Sequence, residues 1–168
     1  PTMVMLLVTS LYTAVDGVFV SHFVGDDALA AINIVLPLDS LLLGVGIMLG
    51  TGGSAIIGRK LGEKREQSAR ENFSLITVFA VGLGAGMMVV LELLLPKLLS
   101  LMGASPRLMP YCLDYGRILI AGAVPYILQL MFQTLLVTAG KPRVGLWLSL
   151  LSGFLNLILD YLLIVPLG

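Results

Sequence analysis

The chain has 168 residues and ten Lys and Arg against ten Asp and Glu, so its formal net charge is zero. It is 58% hydrophobic and 12% charged, against roughly 25% charged in a soluble domain, and its mean hydropathy is +1.02. Such a composition cannot supply the polar skin of a water-soluble protein. Neutral charge gives nucleic acid no electrostatic footprint, and a single cysteine, Cys112, excludes an internal disulfide.

A membrane-spanning helix needs ~20 mostly apolar residues, and five stretches meet or approach that length. The first, about 1–20, is interrupted by Asp16. The second, 28–57, is interrupted by Asp39. The third, 72–95, is charge-free until Glu92 near its end, where the carboxylate reaches the interface. The fourth, 112–139, is uncharged from Ile118 onward. The fifth, 144–165, is broken only by Asp160. These runs are too long for the alternating strands of a barrel. They predict an all-α, polytopic transmembrane bundle of about five helices without a soluble domain. The connections are short: 21–27, a basic loop 58–70, Pro96 to Pro110 with the turn-forming Gly103-Ala104-Ser105-Pro106, and Gly140 to Arg143. The chain opens on Pro1 without a signal-peptide layout and stops just past an apolar segment, so it is expected to be a piece of a longer protein.

Basic residues set orientation. Arg59, Lys60, Lys64, Arg65, Arg70, Lys141 and Arg143 fall on one side of the five spans. Lys97, Arg107 and Arg117 fall on the other. The first side is expected to be the cytoplasm, which places the N-terminus there as well.

Ionisable groups at membrane depth are costly and point to function. Asp16 has Tyr12 one turn earlier on the same face, a polar stripe suited to a proton or sodium site. Asn156 and Asp160 are also four apart, and an amide carbonyl beside a carboxylate offers the hard oxygens that sodium needs. Asp39 follows Pro37 closely, so it either lines a cavity or caps a helix break at that proline. Pro125, Gln129 and Gln133 recur at four-residue spacing. A proline kink there frees backbone carbonyls, and the two amides extend a polar line toward a substrate or a neighbouring helix. The glycines at 44–53 and 82–86 are read as close helix packing. Neither a nucleophile–base pair nor a metal-type cluster is present, so the reading is not an enzyme, and no cofactor is implied.

In their order and spacing, four stretches resemble the multidrug and toxic compound extrusion (MATE) transporters. They are Leu11-Tyr12-Thr13-Ala14-Val15-Asp16-Gly17 with the following Val24-Gly25-Asp26-Asp27-Ala28-Leu29; Gly50-Thr51-Gly52-Gly53-Ser54-Ala55 leading to Gly58-Arg59-Lys60-Leu61-Gly62; Gly103-Ala104-Ser105-Pro106 with Tyr115-Gly116-Arg117; and Gly140-Lys141-Pro142 with Asn156 through Ile164. The resemblance covers nearly the whole chain. It implies two six-helix lobes around a cleft, this chain giving helices one to five of the N-terminal lobe and pairing with a C-terminal lobe of the same protein. It also implies antiport: inward flow of H+ or Na+ across the plasma membrane drives export of organic cations. Asp16, Asn156 and Asp160 match the family's N-lobe cation site, where Na+ could bind. Tyr12 matches the tyrosine one turn before that aspartate, and Pro1 a proline associated with bending of the first helix. Asp39 departs from the family's second-helix pattern. Two alternatives stand beside this reading: a lipid-linked oligosaccharide flippase of the same superfamily, expected to carry a basic cavity, and a non-transporting membrane scaffold.

Overall fold

The computed structural model describes residues 26–140 together with 144, 145, 147 and 151. Within 26–140 the chain forms four helices: α1 Asp26–Gly62, α2 Glu66–Leu101, α3 Met109–Ala121 and α4 Ala123–Thr138. The described residues form no strand. Two helices are long and apolar enough to cross a membrane, Leu29–Gly62 and Glu66–Leu101, and α3 with α4 make a third span bent by 53°. The chain is thus a multi-pass helical membrane protein.

The helices reach further than the apolar runs. The 37 residues of α1 extend about 55 Å, well beyond a hydrocarbon core of ~30 Å. Hydropathy marks only the embedded part, and Arg59, Lys60 and Glu66 to Glu71 are sound helix formers that carry α1 and α2 into the interface. The basic loop read over 58–70 therefore shrinks to residues 63–65. Likewise Pro96 does not open a loop: α2 runs through it to Leu101. Leu95 and Leu99, on either side, are fully buried. Their packing holds the helix against a lost bond, and prolines are tolerated at membrane depth when neighbours re-satisfy the backbone.

Both turns that flank α2 are Schellman caps. After α1, Arg65 N–H donates to Lys60 O and Lys64 N–H to Leu61 O, both at 3.0 Å. After α2, Ala104 N–H donates to Leu99 O at 3.0 Å and Gly103 N–H to Ser100 O at 3.2 Å. The left-handed position is Gly103 (φ 89°) in the second and Lys64 (φ 55°) in the first. The two turns lie at opposite ends of α2, so the Arg59–Arg70 cluster and Arg107 occupy opposite ends of the bundle. At the Arg107 end two of the three cations are paired: Arg107 donates to Asp27 at 2.7 and 3.1 Å, and Arg117 meets Glu92 at 3.2 Å.

The core lies where the four helices converge, around Val35, Leu42, Leu95, Leu99, Ile120, Ile127 and Met131. Cys112 is a packing residue within it, its Sγ 4.0 Å from Ala31 O. Outward, α2 exposes Leu75, Val78, Phe79, Val89, Val90 and Leu93, the kind of apolar face that lipid covers. Contacts advance together along α1 and α4, Gly46 meeting Leu130, Gly50 meeting Met131 and Thr134, and Gly58 meeting Thr138, so these helices run parallel. By the same test α2 is antiparallel to both: Ile76 reaches Gly53 on α1, Gly84 packs on Val124 and Ile127, and Phe73 stacks on Phe132.

Candidate functional site

The seam between α1 and α4 carries the polar groups at membrane depth. Asp39, Gly46, Gly50, Gly53 and Ile57 follow one another at intervals of seven, four, three and four, so they share one side of α1. The glycines let α4 approach closely: a Cβ on Gly50 would lie 2.9 Å from Thr134 Oγ1 and 3.3 Å from Met131 Cα. One stretch of the seam is thereby sealed. Two turns before Gly46 the same side presents a half-buried carboxylate, Asp39, and Tyr126 donates its phenolic hydrogen bond to it.

Tyr126 sits at the start of α4, just past the bend. The helix breaks at Gly122 and Pro125 is the third residue of α4. Pro125 cannot donate to the Ala121 carbonyl and its ring crowds it, which accounts for the 53° change of direction. The fourth span, read as continuous over 112–139, is therefore two helices, and the bend brings Tyr126 over Asp39. From Tyr126, Gln129 and Gln133 lie three and seven residues on, along one face. Pro125 and Gln129 are exposed and Gln133 is half-buried. Asp39 and Tyr126 thus meet across the seam, and two amides follow on the Tyr126 face of α4. Such a set can hold a cation through the carboxylate and orient a polar ligand through the amides.

The reading of Asp39 as a cap at Pro37 is corrected: α1 passes through Pro37 unbroken, and the carboxylate turns to α4. Tyr126 was not singled out from sequence. Its signal was its place between Pro125 and Gln129, but its partner on α1 could not be read without the crossing of the two helices. The cation-coupling residues Tyr12, Asp16, Asn156 and Asp160, together with Pro1, lie outside the described residues. Among those described, no cluster of three or more His, Cys, Asp or Glu could hold a metal ion.

Two antiparallel apolar spans, a bent third span and a polar edge at membrane depth make this chain part of a helical membrane bundle. The MatE family model matches residues 1–162, and the chain belongs to that family. It is similar to a FAD transporter of Shewanella oneidensis, 27% identical over 100% of this chain and 37% of that protein. It is equally similar to the multidrug export protein MepA of Staphylococcus aureus, 27% identical over 98% of this chain and 36% of that one. Among solved structures, the outward-facing conformation of a multidrug resistance MATE transporter of the MOP superfamily matches with a TM-score of 0.92. It is 26% identical, over 99% of this chain and 37% of that chain. The chain thus spans little more than a third of the length of the relatives it matches.

Proposed function

We propose that the full-length protein is a secondary antiporter of the plasma membrane that exports organic cations in exchange for H+ or Na+. One observation carries the reading: in a member of the MatE family, a carboxylate at membrane depth, Asp39, is held by Tyr126, with Gln129 and Gln133 one and two turns further along the same face of α4. The relative MepA, named a multidrug export protein, supports an export role. In this scheme Asp16, Asn156 and Asp160, with Tyr12 alongside, take up the coupling ion. Binding cancels charge in the cleft, an organic cation loses its counter-charge, and release follows as the two lobes reorient. The basic turn at 63–65 faces the cytoplasm, following the positive-inside rule.

A relative named as a FAD transporter makes an anionic, pyrophosphate-bearing substrate the second reading, as does the flippase alternative. Asp39 weighs against both, since it would repel a phosphate at the edge where the amides lie. The experiment is efflux from vesicles holding the full-length protein, with a proton or a sodium gradient imposed separately. A fluorescent organic cation and FAD serve as cargoes. Export of the cation driven by one gradient, and abolished in Asp16→Asn at equal protein level, is the expected result. Gradient-driven movement of FAD alone, or full efflux by Asp16→Asn, would overturn it.

A further inference from the structure

At the basic end of the bundle, Ile57 of α1, Phe73 of α2 and Phe132, Leu135, Leu136 and Ala139 of α4 line a cavity of about 340 Å³. Its wall is almost wholly apolar, and Phe73 stacks on Phe132 with ring centroids 5.8 Å apart. That volume falls in the ~300–1,000 Å³ range of small-molecule sites. The cavity continues into a groove of about 250 Å³ that shares Ile57 and Phe73 with it and runs past Ala69 to Arg70 and Glu66. Phe73 is 40% exposed at the junction.

The charges around the groove are uneven. Arg59, Lys60, Lys64, Arg65 and Arg70 stand against Glu63, Glu66 and Glu71, five cations to three acids. Glu63 is shared by Arg59 at 3.0 Å and Arg65 at 3.5 Å. Arg70 and Lys60 make no ion pair among the described residues. An organic cation finds no counter-charge in this cavity and meets a net positive rim. A free phosphate has no use for an apolar cavity. A ligand with an apolar tail and an anionic head satisfies both parts at once, and the surrounding bilayer supplies one.

We infer that this groove binds an anionic phospholipid of the basic-side leaflet, an acyl chain between Phe73 and Phe132 and the phosphate on Arg70. The inference rests on the chain being a membrane protein and not on its cargo, so it can fail while the antiporter reading stands. The test is native mass spectrometry of the full-length protein in mixed micelles with equimolar phosphatidylglycerol and phosphatidylcholine of the same acyl chains. Phosphatidylglycerol is expected to be retained about fivefold over phosphatidylcholine, the ratio that ~1 kcal/mol from one interfacial cation gives. Arg70→Gln, an exposed position whose loss leaves the thermal melt unchanged, brings the ratio toward one. Phe73→Ala lowers total retention, and Arg107→Gln at the other end of the bundle alters nothing. Equal retention of the two lipids, a preference that survives Arg70→Gln, or an equal loss in Arg107→Gln would each overturn the assignment.

Discussion

Two stretches of the same α1–α4 seam are built on opposite principles. From Gly46 to Gly58 the seam is closed by absence: with no side chain at these glycines of α1, Leu130, Met131, Thr134 and Thr138 of α4 fill the space. Around Asp39 the seam is closed by a polar bond to Tyr126. Between helices in lipid the hydrophobic effect offers little, so close packing and hydrogen bonds must do the joining. The protein uses one device in each stretch. A glycine contact tolerates no change of partner, whereas a carboxylate can exchange its phenol for another ligand. The sealed stretch therefore fixes the crossing of α1 and α4, and the Asp39 stretch is the part of the seam held by a polar contact alone.

Adding volume to the sealed stretch tests that division most severely. Gly50→Val is expected to destabilise the solubilised full-length protein by about 1–3 kcal/mol, read as a lower thermal melt. Its added carbons meet the Met131 Cα as well as Thr134, and a backbone cannot step aside. Gly52→Ala, at an exposed position of the same helix, is the matched control. Nothing lies within 4 Å of a Cβ placed there, so the change stays within about 0.5 kcal/mol. If the two variants melt alike, the glycines are not what sets the distance between the helices.

The polar stretch is expected to show an effect of similar size. Tyr126→Phe leaves the Asp39 carboxylate without its phenol, and a hydrogen bond to a charged group is worth about 1.5–3 kcal/mol. Asp39→Asn keeps an acceptor for Tyr126 and removes only the charge, so it should melt closer to the parent. Transport should rank the pair the other way. Efflux of an organic cation is expected to fall at least about tenfold in Asp39→Asn, equivalent to 1.4 kcal/mol, and less in Tyr126→Phe. Normal efflux in a destabilised Asp39→Asn protein would make the pair a brace and nothing more.

How much of this was legible in the sequence follows from what each signal reports. Apolar runs located the second, third and fourth spans because lipid demands them. They stopped short at Arg59 and Glu66 because the helices continue into water, where charge is no obstacle. Pro96 misled because proline is a weak terminator where Leu95 and Leu99 are buried on either side of it. Pro125 pointed to a bend but not to its consequence, the placing of Tyr126 over Asp39. Of the glycines at 44–53 and 82–86, read as close packing, Gly46, Gly50, Gly53 and Gly84 meet a neighbouring helix, whereas Gly44, Gly52, Gly82 and Gly86 face open space. Asp39 stood out as a charge in an apolar run, yet its partner lies 87 positions away on another helix, and no local pattern encodes a crossing.

The smallest effect is expected inside the sealed stretch itself. Its hydroxyls bond back to their own helices: Thr51 donates to Ile47 O at 2.8 Å and Thr134 to Leu130 O at 3.1 Å, the usual resort of hydroxyls in a helix. Ser54 Oγ is the exception, buried without a hydrogen-bond partner among the described residues. An unmade bond cannot be lost, so Ser54→Ala should leave the melt within about 0.5 kcal/mol of the parent, or raise it as the desolvated hydroxyl disappears. A drop above about 1 kcal/mol would mean that Ser54 is bonded by an element outside residues 26–140. The seam would then be a three-helix junction, with its rigidity owed to that third helix as much as to the glycines.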